Sequence, residues 1–151
     1  MPDISVTATS YIAAPAAVVY DIIADYRNGH HRILPPEFFG RLDVEAGGRG
    51  AGTRVRFEMK AFGRTNVGVA VVTEPAPGRE LRETLDSGIV TTFRVEPVGQ
   101  AQTRATIHTE YAKGGIQGWV ERLLVPRYLR RVYAAELALL ATVAAARQKA
   151  A

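Results

Sequence analysis

The 151-residue chain contains no cysteine. Disulfides, thiolate nucleophiles and cysteine-bound zinc are therefore excluded as sources of stability or chemistry. Long apolar runs are also lacking. The closest approach, Ala134 to Ala146, carries Glu136 and Thr142 and falls short of the roughly 18 residues a bilayer-spanning helix needs. The opening Met1-Pro2-Asp3-Ile4-Ser5-Val6 has no basic stretch ahead of an apolar run, so no signal peptide is expected and a cytoplasmic location is the default. No Gly-Lys-Ser/Thr motif occurs. The glycine-rich Ala46 to Gly52 joins two strand-like segments instead of opening a helix, which argues against a phosphate loop. Neither a Ser-His-Asp order, a nucleophile elbow nor a His-x-x-x-His spacing can be found. No metal, cofactor or nucleic-acid partner is expected.

What is present describes an ordinary globular chain. Apolar residues make up 47% and charged residues 23%, enough for one domain over residues 1–151 with a real core. The 19 Lys and Arg against 15 Asp and Glu leave a net charge of +4. Most arginines stand singly along alternating segments, which reads as a solvated outer face. Arg127, Arg130 and Arg131 form the one basic cluster. It fits a solvated helix face, or a peripheral contact with an anionic membrane surface into which Trp119 and Leu123 would insert.

Periodicity orders the chain. Ile4, Val6 and Ala8 alternate with Ser5, Thr7 and Thr9, as in a half-buried strand. Pro15 then opens a helix whose stripe is Val18, Val19, Ile22, Ile23 and Tyr26, stopped by Asn28-Gly29. His30 to Phe38, with two prolines, reads as a loop or short helix. Six hairpin-linked strands follow, over 41–45, 53–62, 66–74, 79–85, 89–96 and 103–111. Val55, Phe57, Met59 and Ala61 share one face of the clearest strand, and Arg54, Arg56, Glu58 and Lys60 the other. Thr91, Phe93 and Val95 form one inward set, and Ala105, Ile107, Thr109 and Tyr111 another. Strand signal stops at Lys113-Gly114-Gly115. Ile116 to Leu124 predicts a short helix, Pro126 a kink or fresh start, and Leu129, Val132, Tyr133, Glu136, Leu137 and Leu140 the stripe of a long terminal helix. An antiparallel meander must bury one face, and only that helix is long enough to cover it.

The opening strand followed by Ile12-Ala13-Ala14-Pro15-Ala16-Ala17-Val18-Val19-Tyr20-Asp21-Ile22-Ile23, the pair Phe93–Gly99 and Thr103–Ile107, and the terminal Leu123-Leu124-Val125-Pro126 helix resemble the START-like, or helix-grip (SRPBCC), superfamily, in particular its polyketide cyclase/dehydrase and lipid-transport-like group. The resemblance spans almost the whole chain. It implies an α+β helix-grip fold, a curved seven-stranded antiparallel sheet wrapped around a long C-terminal helix, with an apolar ligand cavity between them. Members bind sterols, lipids, hormones, quinone precursors and polyketides, and some are enzymes, so the fold alone leaves the activity open.

Candidate residues follow from the inferred phases. Phe57, Met59, Val69, Leu85, Thr91, Phe93, Ile107, Thr109, Tyr111, Trp119, Leu123 and Tyr133 are expected to line the cavity and contact the ligand. Any of them serves equally as core. Glu83 shares the parity of Leu81 and Leu85. If it faces inward, burial would raise its pKa and suit it to acid–base catalysis; a bulge would instead turn it outward to a strand arginine. His30 and His31 are expected at the surface near the cavity mouth, and His108 on the outer face. The primary expectation is a binding module for a lipid, quinone or polyketide-like molecule. The alternative is a polyketide cyclase or dehydratase using Glu83.

Overall fold

The computed structural model describes the backbone of residues 4–112 and 119–150, and the side chains of 4–112 and 124–150. Its strands are β1 (Ile4–Ile12), β2 (Phe39–Ala46), β3 (Arg54–Ala61), β4 (Arg64–Ala76), β5 (Glu80–Leu85), β6 (Val90–Pro97) and β7 (Thr103–Tyr111). Its helices are α1 (Ala16–Ala24), a 3-10 turn at His30–Ile33, and α2 (Trp119–Ala150). All seven strands join one antiparallel sheet in the order β1-β7-β6-β5-β4-β3-β2, so the meander from β2 to β7 is completed by β1 at its far edge. This is the helix-grip arrangement.

Register settles which face is inside. Val6 opposes Thr109, and Ala8 opposes Ile107. Thr91 opposes Thr109, and Phe93 opposes Ile107. The same face continues through Leu81 and Glu83 to Val72, Ala70 and Val55. Cross-strand partners share a face, so one two-residue periodicity runs unbroken across six strands. The α2 stripe of Val132, Tyr133, Glu136, Leu137, Leu140 and Ala144 is buried at helical spacing. α2 packs against β1, the 3-10 turn and α1.

Two helix boundaries depart from the sequence reading. α1 stops at Ala24, four residues before Asn28. Asp25 is extended, and its carboxylate accepts the Arg27 and Asn28 N–H groups at 3.2 and 3.1 Å, a local bond that competes with helix continuation. α2 in contrast runs through Pro126 as one helix, with no fresh start. Proline removes one hydrogen bond and costs about 3 kcal/mol, a local loss in a 32-residue helix held by its buried stripe. The short helix expected from Ile116 begins outside the described residues.

The glycine-rich turn acquires a role the sequence did not reveal. Gly50 N–H donates to the Ala24 carbonyl at the end of α1, and Tyr26 N–H donates to the Gly48 carbonyl, both at 2.9 Å. Backbone therefore docks on backbone just where the chain leaves α1. A side chain at Gly48, whose φ is +138°, would run into the Arg27 guanidinium. Gly29 is constrained by space alone: a Cβ there would lie 2.5 Å from the Ile22 carbonyl oxygen. We predict that Gly29→Ala costs about 1–3 kcal/mol, read as a lower urea midpoint at unchanged slope. An unchanged midpoint would show that the segment leading into His30 is not held against α1.

Candidate functional site

Glu83 projects from the inner face of β5, with Val72 and Thr91 opposite it on the flanking strands. The inward parity expected from the sequence is the observed one. Its Oε1 accepts the Tyr26 hydroxyl at 2.5 Å. The Tyr26 ring stacks on His30 with centroids 4.3 Å apart, and His30 meets Phe93 edge-on at 5.4 Å. His30 Nδ1 lies 2.7 Å from the Ile23 carbonyl, which can only accept, so that nitrogen carries the proton. Nε2 then faces Glu83 Oε1 at 3.5 Å.

His30 is thus 2% exposed, which corrects the expectation of a surface histidine. The reason is local. Gly29 and His30 N–H groups both bond to the Asp25 carbonyl, at 2.9 and 2.6 Å, and this tight turn folds the imidazole inward while leaving His31 exposed. His108 lies on the outer face as expected, bonded to Thr7 and Glu110.

Across the interior stands Glu136 of α2, 2% exposed. Among the described residues nothing donates a hydrogen bond to it. Burial, reinforced by the nearby Glu83 carboxylate, holds its carboxyl well above the ordinary carboxylate range. Burial and the Glu83 charge likewise push the Tyr26 phenol up, so it remains a donor. A second polar group lies beside this one. Thr91 and Thr109 hydroxyls are 2.8 Å apart, and Thr109 is 2.5 Å from the Tyr133 hydroxyl. The buried Tyr111 hydroxyl has no partner among the described residues.

Tyr26 also lines a cleft of about 710 Å³ between the 3-10 turn, β2 and α2. Leu34, Phe39, Leu42, Val44 and Leu139 supply its apolar wall, while Arg27, His31, Arg32 and Asp43 supply polar groups. Tyr26 therefore belongs both to the cleft wall and, through its hydroxyl, to the Glu83 group. A separate cleft of about 430 Å³ includes Asp21, Arg49 and Glu74. There Asp21 pairs with Arg49 and Arg147, so its charges are already satisfied.

Comparison with known proteins identifies the group to which this arrangement belongs. Residues 3–145 match the family model described as polyketide cyclase / dehydrase and lipid transport. The chain belongs to this family. Solved structures that share the family's fold include the KanY protein, at 26% identity and a TM-score of 0.82 over 95% of this chain and 99% of that one. A START superfamily protein from Mycobacterium smegmatis follows at 17% and 0.74, over 93% and 96%. The Streptomyces aromatase/cyclase Zhui superposes at 20% and 0.77, over 95% and 94%. The comparison with curated proteins returned no match.

Among the cavity residues expected from sequence, Thr91, Phe93, Ile107, Thr109, Tyr111 and Tyr133 are buried, the strand residues on the inner face and Tyr133 on the helix stripe covering it. Phe57, Met59 and Leu85 are partly buried against the same core. Val69 departs from that set. It opposes Arg56, so it stands on the outer face, one residue out of phase with Ala70. The side chains of Trp119 and Leu123 lie outside the described residues. None of the twelve, nor Glu83, lines the 710 Å³ cleft. The residues missed were Tyr26, His30 and Glu136. A carboxylate inside an otherwise apolar helical stripe was the available signal for Glu136.

Because Glu136 binds a proton more tightly folded than unfolded, its contribution to stability falls as pH rises above the unfolded value of about 4.5. The slope approaches about 1.4 kcal/mol per pH unit for one proton. Glu136→Gln is therefore expected to be more stable than the parent at pH 7 and indistinguishable at pH 4, by thermal melts. A difference independent of pH would contradict a protonated Glu136.

Proposed function

We propose that this protein binds a hydrophobic small molecule, of lipid, quinone or polyketide-like character, between the inner face of the sheet and α2. The observation that carries the reading is the cleft with an apolar wall on β2 and α2 and with Tyr26 at its inner end. Its size, about 710 Å³, falls within the range usual for small-molecule sites. Arg27, His31 and Asp43 on the cleft wall would supply polar anchors beside its apolar side. Arg127, Arg130 and Arg131, all exposed on α2, would provide a peripheral contact with an anionic membrane surface during loading.

A second reading, catalysis of the cyclase or dehydratase type, is favoured by one observation: Glu83 faces inward and is oriented by the Tyr26 hydroxyl. Enclosure would hold a flexible chain in a reactive conformation, and an oriented carboxylate would move a proton. The structural similarity to the aromatase/cyclase Zhui is consistent with this reading.

Leu139 is half-buried at the cleft, so Leu139→Lys should perturb binding more than folding. Extraction of any co-purifying molecule after native mass spectrometry, then fluorescence titration, is expected to give at least about tenfold weaker affinity in the variant, about 1.4 kcal/mol. Unchanged affinity would place binding away from this cleft.

A further inference from the structure

Three aromatic side chains meet where the β3–β4 hairpin touches α2. Phe38 and Tyr128 are half-buried and pack edge-on, with ring centroids 5.5 Å apart. Phe62 contacts the same Tyr128 ring at 5.4 Å and is 51% exposed. The Tyr128 hydroxyl donates to the Lys60 carbonyl, which holds the hairpin against the helix. Ala61 pairs with Arg64, so Phe62 and Gly63 are the two central residues of the turn, with φ of +52° and +73°. Among the described residues Phe62 is the one non-glycine residue in the left-handed region. Such turns favour asparagine before the glycine, and a bulky side chain there is strained. The strain keeps an aromatic ring at an exposed tip, and the fold recovers only part of that ring's burial in return.

The charges beside this ring have one sign. Leu124, Arg127 and Arg131, spaced by three and four residues, share an exposed helix face next to Tyr128. Arg64 stands exposed at the base of the turn. Arginines on the outer face of the sheet are paired, Arg54 and Arg56 with Glu45, Arg82 and Arg94 with Glu80, and Arg104 with Glu96, whereas Arg64, Arg127 and Arg131 have no carboxylate partner among the described residues. An aromatic ring and a leucine in solvent, rimmed by uncompensated cations, complement a surface that is anionic outside and apolar beneath. We propose that the Phe62 hairpin and the Leu124–Arg131 face of α2 form a docking surface for a bilayer rich in anionic phospholipid. Phe62 and Leu124 enter the acyl boundary while the arginines meet the phosphates. This rests on the peripheral contact ascribed above to the α2 arginines and gives it an apolar anchor on a strand hairpin. An acidic protein surface would engage the arginines alone and leave the strained ring without an apolar phase to enter.

Because the chain has no cysteine, one environment-sensitive label can be introduced through Phe62→Cys. A control label goes in through Val98→Cys, an exposed apolar position on the β6–β7 hairpin at the opposite end of the meander. The probe is a vesicle of phosphatidylcholine containing about one-quarter phosphatidylglycerol, against pure phosphatidylcholine. The Phe62 label should shift to the blue on the anionic vesicles and the Val98 label should not. The unlabelled parent should bind the anionic vesicles at least about tenfold more tightly than the neutral ones, an advantage that shrinks as salt is raised. Phe62→Asn places the favoured residue in the turn, so it should melt as a folded protein and yet lose at least about fivefold in vesicle affinity. Parent binding no stronger to anionic than to neutral vesicles would overturn the proposal. So would a Phe62→Asn variant that binds like the parent, or two labels that respond alike. The cleft reading is tested separately by Leu139→Lys and stands if docking fails.

Discussion

The hydroxyl of Tyr26 donating to Glu83 ties the end of α1 to the middle of the sheet, and the rest of the site is arranged around that bond. For Tyr26 to reach β5, the chain must leave α1 early and turn sharply. Asp25 ends the helix with its side chain, the glycine-rich turn takes up the Ala24 carbonyl, and Gly29 passes close to Ile22. His30 then stacks on Tyr26 and closes the group from the other side. Features that look separate in the sequence are thus parts of one constraint. They deliver a phenol and an imidazole to a carboxylate that the strand register has already turned inward.

Glu83 and Glu136 also explain why the core is not simply apolar. A leucine at 136 would fill the same stripe at no electrostatic cost. Burial of a carboxyl is a standing penalty, reduced by keeping its proton. Groups held in this state occur where a ligand or substrate makes use of them, although ion-pair networks can have the same effect. Here no cation meets Glu136 among the described residues, which separates it from the paired surface carboxylates such as Glu45 with Arg54 and Arg56.

Most of the fold was legible because period-two alternation is strong in β3, β6 and β7 and because glycine and proline punctuate the turns. Glu83's phase followed from the same alternation. Val69 was misplaced because Val67, Val69, Ala70, Val71 and Val72 are all apolar, so composition gave no phase and only pairing with β3 decides it. His30 was misplaced because its direction depends on a bifurcated bond to Asp25, a contact set by three-dimensional closure. The cleft escaped notice for a related reason. Its walls come from β2, the 3-10 turn and α2, which only the folded sheet brings together. Glu136 was visible on the stripe, but its significance needed the knowledge that Glu83 lies opposite.

The central claim is that buried Glu136 keeps its proton inside the fold. Carbon-13 NMR of glutamate side-chain carboxyls, followed through a pH titration, examines it most directly. The account predicts one carboxyl, assigned to Glu136 by its glutamine variant, that titrates well above the ordinary value of about 4.5. If every glutamate titrated in the ordinary range, Glu136 would be hydrated and ionised like a surface carboxylate, and the account would be contradicted.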